Sequence, residues 1–149
     1  MPLFNARLDY ALRALVDIAL CSPREAVQAR DIALRQGIRE PYLDQILGAL
    51  KRGGIVRSVR GAGGGYLLVE PPRSITVAQV VHAMVGDGLL AAPGAEEHGA
   101  SRPAAGAVVH QLARRLEADL GKALAAVTVA DLAQQAQQLD ESLSIMPGI

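Results

Sequence analysis

Residues 30–69 read RDIALRQGIREPYLDQILGALKRGGIVRSVRGAGGGYLLV. Ile32 and Ala33 mark the inward side of a short helix over residues 28–36, and Gly37-Ile38 breaks it. Pro41 suits a first helical position, where a proline's missing N–H leaves no bond unmade. The helix it opens, residues 41–52, repeats apolar side chains at Leu43, Ile46, Leu47 and Leu50, and Gly53-Gly54 closes it. Two short β-like runs follow, Ile55 to Val59 and Tyr66 to Val69, joined by a glycine-rich loop, RGAGGG.

A short helix, a four-residue turn, a second helix and a glycine-tipped hairpin, in that order, make a helix-turn-helix with a wing. In such a unit the second helix buries one face and offers the other to a DNA major groove about 12 Å wide. With its leucines and Ile46 turned inward, residues 41–52 leave Tyr42, Asp44, Gln45, Gly48, Ala49, Lys51 and Arg52 outside. Gln45 matches the donor–acceptor edge of adenine, and Tyr42 can stack on a sugar or reach a phosphate. Lys51, Arg52, Arg57 and Arg60 fall in a run, residues 51–60, that contains no acid. Such a run is rewarded by counterion release from phosphates, and an arginine at a loop tip can enter a minor groove. The residues assigned to DNA are therefore Tyr42, Asp44, Gln45, Lys51, Arg52, Arg57, Ser58, Arg60, Gly63 and Gly64. The alternative is a winged-helix module kept for protein contacts, whose arginines serve solubility; the cationic run favours DNA. A dinucleotide-binding turn is excluded, because YLLVEPP continues as strand where a phosphate-facing helix would have to begin.

Outward from this unit the chain is helical. Residues 7–21 place Leu8, Ala11, Leu12, Leu15, Ile18 and Ala19 at helical spacing. Thr76 opens a further helix with Gln79 completing a capping box, and Ile75 and Val80 able to staple across it; the pattern fades near Gly86. Residues 86–106 are rich in Gly, Ala and Pro without a period, as in a loop. From Ala107 a long helix, about 30 Å over about 20 residues, carries Val108, Leu112, Leu116, Leu120 and Leu124 along one stripe. Thr128 and Asp131 cap a last helix expected to end near Leu139, with SLSIMPGI as a frayed tail. The expected fold is mainly α with a small β-hairpin wing. Residues 1–86 form the DNA-binding domain, 87–106 a flexible sensor-type loop, and 107–149 the dimerisation helix and C-terminal helix.

Composition agrees with this division. The formal net charge of the 149 residues is zero. Residues 1–73 nevertheless hold 11 Lys/Arg against 7 Asp/Glu, and residues 74–149 hold 4 against 8. One part suits a polyanion and the other does not. A single cysteine, Cys21, cannot close an internal disulfide and points to a reducing compartment. The N-terminus lacks a signal-peptide pattern, and no apolar run reaches the ~18 residues of a membrane span, so a cytoplasmic protein is expected. No nucleophile–base pair, metal-grade cluster or cofactor fingerprint points to an enzyme.

The stretches DYALRALVDIA (9–19), RDIALRQGIREPYLDQIL (30–47), GGIVRSVRGAGGGYLL (53–68), ITVAQVVHAMVG (75–86) and LGKALAAVTVADL (120–132) together resemble the Rrf-type family of bacterial winged helix-turn-helix transcription regulators. The resemblance implies a homodimer, in which a long helix of each chain crosses its partner and two winged domains read a palindromic operator in double-stranded DNA. It places Tyr42, Asp44 and Gln45 on the recognition helix, Arg60 on the wing, and residues 107–126 in the dimerisation helix. Many members hold an iron–sulphur cluster with three cysteines in the loop before that helix. This loop has none, and Ala107 stands near the position of the last. His110 falls where some members place a fourth ligand, and Asp9 where some supply an acidic one. Such clusters need soft thiolate ligands, so the expected state is free of cluster, metal and other cofactor.

Candidates for sensing are Cys21, more consistent with a buried structural thiol, and His98 and His110, which with Glu96 and Glu97 form only a weak metal pattern. Loop 86–106 could instead close over a small-molecule or protein effector. The leading expectation is operator binding by a dimeric repressor. The alternatives are the protein-contact module and a sensor dependent on a small ligand or metal.

Overall fold

In the computed structural model, residues 4–21, 23–86 and 104–145 are described. The first helix, α1 (Ala6–Leu20), is capped by Asn5, whose side chain accepts the Leu8 amide. Leu8, Ala11, Leu12, Ala14, Leu15 and Ile18 then form its buried face. Helix α2 (Ala29–Gln36) ends at Gly37, which takes the left-handed conformation at φ 64° that a side chain would resist. Three residues, 37–39, separate it from α3 (Glu40–Arg52); the expected turn of four is one residue too long because Glu40 is already helical. Pro41 sits in the first turn of α3, as its geometry asks.

Strands β1 (Val56–Val59) and β2 (Gly65–Leu68) pair antiparallel, with Val56 opposite Leu68 and Val59 opposite Gly65. Each expected run is trimmed or shifted by a residue: Ile55 and Val69 lie just outside, and Gly65 joins β2. The hairpin does not hang free. Val27, just before α2, exchanges two backbone hydrogen bonds with Tyr66, at 2.9 and 2.8 Å. Gly65 makes this approach feasible, since a Cβ there would strike the backbone of Val27.

A short 3-10 turn (Pro72–Ser74) leads into α4 (Val77–Val85), followed by α5 (Ala104–Ala125) and α6 (Val129–Ile145). Both expected caps form: Thr76 with Gln79, and Thr128 with Asp131, each exchanging side-chain and backbone bonds in both directions. The two caps also meet, because the Val77 amide donates to Val127 and the Val129 amide to Ile75, both at 2.8 Å. This brings α6 alongside α1.

The core gathers Leu8, Leu15, Ile32, Leu43, Ile46, Leu47, Leu50, Val56, Val80, Val81 and Val129, all under 2% exposed. Helix α5 contributes no buried residue. It begins at Ala104, three residues before the expected start, and α6 runs to Ile145 rather than Leu139. The extension continues the apolar spacing from Leu139 to Leu143, and the hydroxyls of Ser142 and Ser144 return to the carbonyls of Gln138 and Asp140. Of the expected tail, residues 146–149 lie outside the described residues, as do 87–103 of the loop.

Candidate nucleic-acid interface

The outer face of α3 follows from its pattern. Burying Leu43, Ile46, Leu47 and Leu50 leaves Asp44, Gln45, Lys51 and Arg52 exposed. Ala49, expected outside, is instead 6% exposed, because α4 also packs on α3 and widens its buried side. Tyr42 is half-buried, and its ring meets that of Tyr10 edge-on, with centroids 5.6 Å apart. The contact with Tyr10 leaves less of that ring for a nucleic acid than a fully exposed side chain would offer.

The wing continues this face. Val56 is buried at the start of β1, while Arg57 and Ser58 are both exposed, so the covered side of the hairpin ends after its first residue. Arg60, Gly61 and Gly63 are exposed at the tip, whereas Gly64 is buried: its amide donates to Gly61, and a Cβ would collide with the Val59 carbonyl. Gly64 therefore shapes the turn that carries Arg60. Lys51 Nζ donates to Ser58 Oγ at 2.8 Å, tying the end of α3 to the first strand of the wing. The residues that sequence assigned to DNA thus come together on two adjoining elements.

Two grooves flank α3. One, of about 610 Å³, lies between α1 and α3 and is lined by Ala6, Tyr10, Arg39, Pro41, Tyr42 and Gln45. The other, of about 360 Å³, lies between α2 and the wing, among Gln28, Arg30, Glu40, Gly61 and Gly64. Arg30 and Arg39, both exposed, extend the cationic surface on either side of the recognition helix. Sequence reasoning passed over them because it followed the acid-free run after α3. Their position immediately before or in the first turn of each helix was the available signal.

Along α5, Val108, Val109, Leu112 and Leu116 are exposed, while Leu120 and Leu124 are partly buried and Leu124 touches the core. Of the candidate sensing residues, Cys21 caps α1 and is partly buried against the core, with Arg35 Nη2 3.8 Å from its sulfur. Burial pushes its thiol pKa up, against the opposing pull of Arg35. His110 is part-exposed on α5, Asp9 pairs with Arg13 at 3.3 Å, and His98 lies outside the described residues. Among the described residues no three of His, Cys, Asp and Glu gather as a metal site, and no helix is long and apolar enough to cross a membrane.

The sequence pattern of the Rrf2 family, described as iron-dependent transcriptional regulators, matches residues 4–135. The chain belongs to the Rrf2 family. It is 37% identical over 133 residues to the transcriptional regulator IscR of Escherichia coli O1:K1 / APEC, covering 89% of this chain and 81% of that one. Among solved structures it is similar to T. potens IscR, with a TM-score of 0.73, 27% identity, and coverage of 97% and 92% of the two chains. It is also similar to CymR, described as the global cysteine regulator of B. subtilis, with a TM-score of 0.69, 25% identity, and coverage of 91% and 98%. This Rrf2 protein is thus a DNA-binding transcription regulator with a winged helix fold, and not an enzyme. An iron–sulphur cluster does not fit its residues. The sequence holds one cysteine, and that thiol is half-buried at the end of α1 with its ionisation opposed by burial.

Proposed function

We propose that this Rrf2 regulator is a cytoplasmic, cluster-independent repressor that binds a palindromic operator as a homodimer. Residues 1–86 read the DNA, α5 and the chain beyond it hold two copies together, and residues 87–106 receive the signal. The observation that carries the reading is the single exposed face that α3 and the wing share, pinned by Lys51 and Ser58 and free of acids between residues 51 and 60. In this reading Gln45 and Asp44 meet base edges, Arg60 enters the minor groove, and Arg30, Arg39, Lys51, Arg52 and Arg57 neutralise phosphates. The uncovered apolar stripe Val108, Leu112 and Leu116, continued by Leu120 and Leu124, supports a second copy as the missing neighbour of α5. Sensing is assigned to loop 87–106 with Cys21, His98 and His110 as its candidate residues, and to a small-molecule or protein effector.

The test is a visible spectrum of the purified protein, followed by its titration against duplex DNA from upstream of its own gene, at salt from about 50 to 200 mM. Light scattering on the same sample gives the mass. A dimer that prefers this DNA over a scrambled duplex, with affinity falling steeply as salt rises, is the expected result. A coloured protein overturns cluster independence. A monomer overturns the role of α5, and a dimer indifferent to DNA returns the winged fold to protein contacts.

A further inference from the structure

Asp17 is the one buried charged residue among the described residues, 5% exposed on the inner side of α1. It holds the last turn of α2. Arg35 Nε donates to Oδ2 at 3.0 Å and Nη2 to Oδ1 at 2.7 Å, while Gln36 Nε2 donates to Oδ2 at 2.9 Å. One turn earlier on α1, Arg13 donates to the backbone carbonyl of Gln36, the residue before the turn, and is itself paired with Asp9. The guanidinium of Arg13 also lies 5.4 Å from the centre of the Tyr10 ring, and Tyr10 meets Tyr42 in the first turn of α3. Helix α1 therefore grips the chain on both sides of residues 37–39.

Stability alone does not account for this arrangement. Two apolar residues of similar volume would fill the same space without the desolvation cost of a buried carboxylate, and such replacements are often neutral or stabilising. Arg35 is also 47% exposed, so water screens much of the attraction. What the ion pair adds is direction: a planar guanidinium against a carboxylate, joined by a third donor, narrows the range of angles open to α1 and α2. Apolar contacts tolerate a range of angles.

We propose that Asp17, with Arg35 and Gln36, positions the recognition helix: it sets the angle at which Asp44 and Gln45 meet base edges, and thereby sequence discrimination, while leaving general affinity for DNA unchanged. This rests on the reading that α3 reads an operator. No residue of the trio belongs to α3 or the wing; in this proposal each acts through α3.

The experiment first selects preferred duplexes from a random-sequence pool with the full-length native protein. The double variant Asp17→Leu, Arg35→Met is then compared with it on the best selected duplex and on a random one. The variant is expected to keep its unfolding midpoint, its mass and its affinity for random DNA. Its preference for the selected duplex should drop by about tenfold, the scale of one misread base pair. Amide exchange at Ile38 and Tyr42 should rise relative to amides in α4, a change that a merely space-filling role would not produce. An unchanged preference in the folded variant overturns the proposal. If the double variant does not fold, Arg35→Lys decides the matter, since it keeps the charge and loses the two-pronged contact. A preference reduced by about threefold supports positioning, and an unreduced one overturns it. A native protein that enriches no sequence from the pool refutes the operator reading itself, before any variant is made.

Discussion

In α3, Leu43, Leu47 and Leu50 are 0% exposed; in α5, Val108, Val109, Leu112 and Leu116 are 48–64% exposed. Both helices carry the same kind of apolar spacing, and periodicity alone does not distinguish them. The difference lies in what the rest of the chain supplies. Helices α1, α2 and α4 and the first strand of the wing all pack on α3, whereas α5 touches α4 and leaves the first part of its stripe, Val108 to Leu116, exposed. A helix of 22 residues without a fully buried side chain draws little of its stability from this chain's core. The core around α3 is closed within one chain, and the exposed stripe of α5 is what the proposed second copy would cover.

Experiments of decreasing expected effect break or sharpen that contrast. The largest effect is expected from Leu116→Asp, which puts a charge in the middle of the α5 stripe. Light scattering should show the monomer mass, and operator affinity should fall about a thousandfold as two linked half-sites become independent. A mass still twice that of the chain would refute α5 as the interface. Next comes the same truncation made in both helices. Leu50→Ala should lower the unfolding free energy by about 3 kcal/mol, through lost burial and the cavity left behind. Leu112→Ala, measured by denaturant unfolding in the Leu116→Asp background, should cost less than about 0.5 kcal/mol. Equal costs would mean that α5 is part of the chain's own core.

Within the reading half, Arg60→Ala should weaken binding to operator and random DNA alike, by roughly tenfold, and lower the salt slope by about one. Gln45→Ala should instead relax preference at one base position by about 1–3 kcal/mol with little effect on random DNA. Equal losses on both duplexes would remove Gln45 from the base readers. The smallest effect concerns Cys21. Its raised pKa means that less thiolate is present than in a free thiol at the same pH, so alkylation at neutral pH, followed by mass spectrometry, should be slower than for free cysteine. The linkage has a definite sign: the unfolded chain loses this proton first, so stability should decline as pH rises through the ordinary thiol range, and Cys21→Ala should flatten that decline. Alkylation as fast as the free amino acid would place Cys21 among reactive, sensing thiols.

Much of the reading unit was legible because its signals are local. The spacing of Leu43, Ile46, Leu47 and Leu50, the glycines at 37, 61 and 63–65, and the reciprocal caps at Thr76 and Thr128 each depend on a few neighbouring residues. Where patterns weakened, boundaries drifted. Helix α6 passes beyond Leu139 with the apolar spacing carried on only by Leu143, a single leucine among polar residues that does not announce a helix running to Ile145. Ala49 was misplaced because the covered width of α3 depends on α4, which lies far along the chain.

By itself the sequence determined the order of elements, the caps, the glycine-dependent turns and the cationic run, since backbone sterics and side-chain period act over less than about ten residues. Only the tertiary structure decided which of those elements meet. Asp17 finds Arg35 across 18 positions, Tyr10 finds Tyr42, and Val27 joins the wing through Tyr66. Such pairings follow from how helices cross and how a core closes around them, and a directional contact exists only once both partners have been carried into place.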